Sequence, residues 1–172
     1  MINTEIYLSL NEPKWEKALP EVATLADHIV STSVNFVNDK ESLNFLVASK
    51  TLNFNLCLSN DKEIHALNKE FRQIDKPTNV LSFANIDDPD FDTQIKSAET
   101  IEMGDIIIAL ETMEKEADEK NISLHDHFCH LLTHGILHLL GYDHIEDNEA
   151  EHMEGLEIKI LNQLNINNPY EE

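Results

Sequence analysis

Residues 124–144 read LHDHFCHLLTHGILHLLGYDH, and the organisation of the chain follows from this stretch. Its spacing predicts a helix over 124–140. Seven of the nine histidines fall between His125 and His152. Within the helix, His127, His130, His134 and His138 recur at intervals of three, four and four. At about 100° per residue these four share one narrow arc. A face of imidazoles makes a poor core, so a bound ligand is expected there. Residues four apart sit about 6 Å apart along the axis, and their ring nitrogens can converge on a zinc at about 2.0–2.1 Å. His130 and His138 are about 12 Å of rise apart, too far to share an ion on a straight helix. Gly141 can take the left-handed conformation that ends a helix, turning the chain so that His144 arrives opposite His134 and His138. Three imidazoles leave a fourth position for water, the arrangement of catalytic zinc. His134, His138 and His144 are therefore the expected ligands of one Zn2+ ion. His127 and His130 are read as neighbours or outer partners of the ligands. His28, His65, His125 and His152 are read as surface or internally satisfied histidines.

The spacing of His134, His138, Gly141 and His144 is similar to that of the metzincin proteases, HExxHxxGxxH. Those enzymes carry a glutamate directly after the first histidine as general base. Here that position is Gly135, which has no proton acceptor and instead lets another segment pack close to the helix.

Outward from this helix, residues 5–10 (EIYLSL) suggest a first strand. Val22, Leu25, Ile29 and Phe36 recur at helical spacing between Pro20 and about Phe36, while residues 38–50 are ambiguous between helix and strand. Leu52, Phe54, Leu56 and Leu58 alternate strictly, predicting a half-buried strand over 52–58 with Cys57 on its opposite face. Asn60 and Glu63 resemble a reciprocal helix cap, and Ile64, Leu67 and Phe71 form one face of a helix over 61–71. Pro77 forbids continuation, and residues 80–83 (VLSF) form a strand. The acidic segment 85–99 contains Pro89 and is expected to be a mobile surface loop. MGDIIIAL (103–110) holds a short buried strand, followed by a helix over 111–120. After the histidine helix, Asp147 is expected to cap a last helix carrying Met153, Leu156, Ile160 and Leu164. Cys129 is assigned to packing rather than ligation, and the Pro13–Pro20 segment with Trp15 carries no chemical signal. Strands and helices mix without regular βαβ repetition. The expected fold is α+β, a small mixed sheet packed against helices with the metal-binding helix central.

The chain has 172 residues, a length that predicts one domain over residues 1–172 with a sizeable core. Twelve basic against 33 acidic side chains leave a net charge of −21. Such a field repels polyanions and excludes a diffuse electrostatic grip on nucleic acid, so any RNA role needs a local site, a metal or a docking partner. Two cysteines, Cys57 and Cys129, cannot build a disulfide framework. The absence of a long apolar run and of a cationic leader predicts a soluble, intracellular protein.

Arg72 is the only arginine. The segment 61–76 balances Lys62, Lys69, Arg72 and Lys76 against Asp61, Glu63, Glu70 and Asp75, so it is neutral within an acidic chain. Arginine clamps phosphate bidentately, and beside a zinc it could offset the charge that develops on a phosphodiester under attack. The plainer reading is a salt bridge. Asp143 is either an outer partner of a ligand histidine or a turn residue.

HGILHLLGYDH (134–144), followed by Glu149, Met153 and Glu157, resembles the YbeY family of metal-dependent endoribonucleases, as do FRQIDKPTNVLSF (71–83) and MGDIIIA (103–109). The resemblance covers about residues 52–165 and departs at Ala84, where the family commonly has proline. It implies a single-strand-specific endoribonuclease that matures ribosomal RNA near the 3′ end of the small-subunit RNA and serves ribosome quality control in the cytoplasm. The expected catalytic residues are Arg72 and His134, the expected substrate contacts Arg72 and Lys76, and the metal Zn2+ on His134, His138 and His144. Expected partners are ribosomal RNA and a basic small-subunit ribosomal protein, with no membrane and no DNA. Two other classes stay open: a zinc peptidase that recruits its base from outside the helix, and a non-catalytic ribosome-assembly factor whose zinc locks the C-terminal helices.

Overall fold

The alternation at 52–58 sets the sheet. In the computed structural model, which describes residues 2–41, 43 and 50–171, strand β2 (Thr51–Ser59) buries Leu52, Phe54, Leu56 and Leu58 almost completely. Removing each such side chain from water stabilises the fold by about 1.5–3 kcal/mol. Strand β1 (Asn3–Leu10) pairs parallel with β2, and β2 pairs parallel with β4 (Thr100–Ala109). Strand β3 (Val80–Ala84) runs antiparallel to β4 at the edge, giving the order β1-β2-β4-β3. The sheet is mixed, and the expected α+β class holds.

Helices α2 (Val22–Lys40) and α6 (Leu124–Leu139) cover the face that carries Leu52 to Leu58, and α7 (Asp147–Gln163) packs on both. On the other face, α3 (Asp61–Arg72) buries Ile64 against Leu81, Ile107 and Ala109, with Cys57 beside them. Cys57 therefore lies opposite the leucines, as the alternation predicts. Cys129 is buried in the main core, where desolvation pushes its thiol up to about 12. Helix α6 packs against α2, α5 (Leu110–Lys120), α7, β3 and β4, and so occupies the centre of the layer. Gly135 makes that approach possible, because a Cβ there would meet the Ile106 side chain at 3.0 Å.

Three expectations are corrected. Segment 85–99 is not an open loop: it holds a 3-10 turn (Asn85–Asp87) and helix α4 (Phe91–Ser97), anchored by the buried Phe91. One aromatic among acidic residues has enough apolar area to dock the segment. Asn60 does accept from Glu63 N, but the Glu63 carboxylate turns to Ser59 and Asn11 instead of completing a reciprocal cap. Asp147 is the first residue of α7 and makes no side-chain cap. The Pro13–Pro20 segment contributes a short helix, α1 (Trp15–Ala18), whose fully buried indole donates to Ser59 O at 2.8 Å and meets Phe128 edge-on. Helix α2 extends to Lys40; most of the ambiguous stretch 38–50 lies outside the described residues.

Gly104 has φ +129°, and a Cβ there would meet Phe83 O at 2.1 Å, where the β2–β4 register shifts. Gly155, inside α7, has open space where a Cβ would stand, with nothing within 4 Å. Gly104→Ala is expected to lower unfolding free energy by about 2–4 kcal/mol. Gly155→Ala should raise it by roughly 1 kcal/mol. Urea denaturation of both variants checks the pair.

Candidate metal centre

Helix α6 begins with Ser123 accepting from Asp126 N at 3.0 Å. It ends as the sequence predicts, with Gly141 at φ +102°. Tyr142 N donates to Leu137 O, and Gly141 N to His138 O, both at 3.0 Å. This pair of bonds satisfies the last carbonyls of the helix and reverses the chain. His144 thereby stacks on His134 at 5.4 Å between ring centroids and lies 4.9 Å from His138. One potential ligand atom from each of His134, His138 and His144 lies within 4.8 Å of the others. The structure brings together the three residues expected from spacing.

Their orientation is set from behind. His138 Nδ1 is 3.0 Å from Tyr142 O, a pure acceptor, so this nitrogen carries the proton. His134 Nδ1 donates to the Glu157 carboxylate on α7. Both Nε2 atoms then present lone pairs, and they face each other at 3.0 Å. Four ligand atoms around a zinc at about 2.0–2.1 Å sit roughly 3.3–3.4 Å apart, so the donor set fits a small tetrahedral cation. Burial, reinforced by the neighbouring His134 and His144 rings, holds His138 down to about 4, which keeps its lone pair free at neutral pH.

Glu157, the partner of His134, is a side chain that the spacing argument does not single out, although it stands in the C-terminal motif. It is fully buried. Burial alone would push its carboxyl up. Close contact with His130 and His134 and a hydrogen bond from Tyr170 outweigh that, holding it down to about 2. The sequence does carry a signal: Glu157 sits on the same α7 stripe as Met153, Leu156 and Ile160, where a carboxylate has no place without a partner. The Asp143 carboxylate accepts from His144 N at 2.7 Å, within the turn that delivers that residue.

The other histidines separate from the cluster. His127 is buried and pairs with Glu116 at 2.9 Å, while His130 lies 3.3 Å from the Tyr170 hydroxyl. His65 pairs with Asp75, His125 with Asp126 and His152 with Glu41.

A cleft of about 490 Å3 opens over the cluster, lined by His134, His138, His144, Asp143, Ser82 and Arg72. Arg72, the last residue of α3, reaches over edge strand β3: its Nη2 donates to Ser82 O at 2.9 Å, and its guanidinium lies 5.0 Å from the Phe83 ring centroid. Among the described residues no carboxylate forms an ion pair with it. Lys76 is exposed and does not line the cleft.

The sequence pattern of the family described as Endoribonuclease YbeY matches residues 11–165. The chain belongs to the endoribonuclease YbeY family. The endoribonuclease YbeY of Paramagnetospirillum magneticum is 36% identical over 171 residues, covering 99% of this chain and 98% of its own. That of Zymomonas mobilis is 53% identical over 119 residues, 68% of this chain and 67% of its own. The solution structure of TM1509 from Thermotoga maritima shares the fold, with a TM-score of 0.51 at 24% identity over 98% of this chain and 100% of that one. In this YbeY-family chain, no described helix is long and apolar enough to cross a membrane.

Glu157→Gln keeps the size of the side chain but removes the charge behind His134. It is expected to weaken metal affinity about 10–100-fold while the apoprotein stays folded; competition against a chromophoric chelator measures the loss.

Proposed function

We propose that the chain is a zinc-dependent, single-strand-specific endoribonuclease that matures ribosomal RNA, near the 3′ end of the small-subunit RNA, and serves ribosome quality control. It does so as one domain over residues 1–172, in the cytoplasm. The observation that carries this reading is one cleft lined by His134, His138 and His144 and also by Arg72. Family membership supports the nuclease class.

His134, His138 and His144 are the proposed zinc ligands and His134 and Arg72 the proposed catalytic residues. The three histidines would hold a zinc ion, which would supply Lewis-acid polarisation of a phosphoryl oxygen and lower the pKa of a bound water toward about 7. Arg72 binds the phosphate. Its guanidinium is held at one edge by Ser82 O, leaving other N–H donors for two phosphate oxygens. That placement suits the charge that builds on the phosphodiester during attack. Glu157 and Tyr142 O keep His134 and His138 in the tautomers that leave Nε2 free. Lys76, exposed four residues after Arg72, is proposed to contact RNA outside the cleft.

The net charge of −21 opposes free RNA over most of the surface. A basic small-subunit ribosomal protein is the proposed docking partner, since an acidic surface favours it while the cleft meets RNA.

His138→Ala is expected to lose bound zinc and RNA cleavage together. Arg72→Ala should retain a full complement of zinc while cleaving about 100-fold more slowly. Metal analysis and cleavage of a single-stranded RNA by the same preparations check both; wild-type cleavage by Arg72→Ala would leave that residue a structural role only.

A further inference from the structure

Residues 165–171 follow α7 and lie at and beyond the end of the segment that matches the family pattern. Asn165 takes a left-handed conformation (φ +62°), and Ile166 is buried and donates through its backbone N to Leu161 O at 2.9 Å. A turn at Asn168, whose side-chain oxygen accepts from Tyr170 N at 2.8 Å, then presents Tyr170 to the back of the histidine helix. The Tyr170 ring meets the His130 ring edge-on at 5.4 Å, and its hydroxyl donates to Glu157 Oε2.

Tyr170 is 42% exposed, so it is a poor candidate for a core anchor. What distinguishes it is where the hydroxyl ends. The two oxygens of the fully buried Glu157 are divided: Oε1 accepts from the metal-cluster residue His134, and Oε2 accepts from Tyr170. The next donor for Oε2 is His130 Nε2, 3.8 Å away and itself 3.3 Å from the Tyr170 oxygen. Without the phenol, Oε2 would be a buried anionic oxygen left with His130 alone, at 3.8 Å, beyond hydrogen-bond distance in this arrangement, a costly state. Rotation of the carboxylate toward His130 would relieve it and would draw Oε1 off His134.

We infer that Tyr170 is a positioning residue for the metal centre: its hydroxyl holds the Glu157 carboxylate in the orientation that turns His134 Nε2 toward His138 and His144. The inference rests on the metal-site reading above and adds a dependence of that site on the segment after α7.

The test uses the full chain, stripped of metal and titrated with Zn2+ against a chromophoric chelator, and with Co2+ for its visible absorption. Tyr170→Phe keeps the ring and removes only the hydroxyl. It is expected to weaken Zn2+ affinity about 3–10-fold, less than the roughly 10–100-fold of losing a direct histidine partner. The Co2+ spectrum should change, alongside whatever fall in apoprotein melting temperature the lost hydrogen bond to a buried carboxylate brings. Because the phenol acts through the carboxylate, Glu157→Gln with Tyr170→Phe should bind no more weakly than Glu157→Gln alone. Wild-type affinity and spectrum in Tyr170→Phe would overturn this role, as would a loss that adds in full to that of Glu157→Gln. A fall in apoprotein melting with an unchanged Co2+ spectrum would also overturn it, since that is a packing effect. If the wild type binds neither ion, the metal-site reading itself fails, an outcome distinct from equal binding by wild type and variant.

Discussion

Two imidazole nitrogens, His134 Nε2 and His138 Nε2, face each other at 3.0 Å with their lone pairs turned inward. Left alone this contact is repulsive, and the molecule maintains it from both sides. Tyr142 O, presented by the turn at Gly141, holds His138, and the Glu157 carboxylate on α7 holds His134. His134 cannot turn away without leaving the buried Glu157 carboxylate short of a donor, a loss of about 1–3 kcal/mol or more where a charge is involved, and His138 would give up its bond to Tyr142 O. A cation that binds between the nitrogens converts the repulsion into coordination. The end of α6, the turn and α7 are thus parts of one device.

The acidity of the chain bears on how that device meets a substrate. A net charge of −21 keeps a polyanion at a distance over most of the surface, yet the cleft carries the only arginine, without an ion-pair partner among the described residues. Asp143 lines the same cleft, but its carboxylate is engaged by the His144 backbone N–H. The local balance therefore differs from the global one. A phosphate entering here would meet a guanidinium and a cation-binding cluster, and the surrounding negative surface would discourage binding elsewhere.

Much of this is legible in the sequence because it is local. Histidines at intervals of four on a helix, and a glycine three residues after the second, bring His134, His138 and His144 together through helical pitch and the left-handed allowance of glycine. The alternation of Leu52 to Leu58 likewise determines which face of β2 is buried. What is not legible depends on tertiary placement. Glu157 becomes the partner of His134 only because α7 packs along α6, and the sequence shows no more than a carboxylate on an apolar stripe. The Tyr142 contribution is a backbone carbonyl, which leaves no side-chain signature. Segment 85–99 reads as an open loop because its order depends on one buried residue, Phe91, set among acidic neighbours.

Gly135 joins the fold to the choice of chemistry. In the metzincin spacing this position carries the general base; here the direction in which a Cβ would project leads to Ile106 of β4, at 3.0 Å. A longer side chain would meet the sheet before it could reach the cleft, and relieving the contact would move α6 away from β4. Close packing of helix on strand and a proton acceptor at this position are therefore alternatives, and this chain has taken the packing. A substrate that brings its own negative charge suits the three imidazoles and the guanidinium that line the cleft. A phosphodiester brings such a charge and a peptide bond does not.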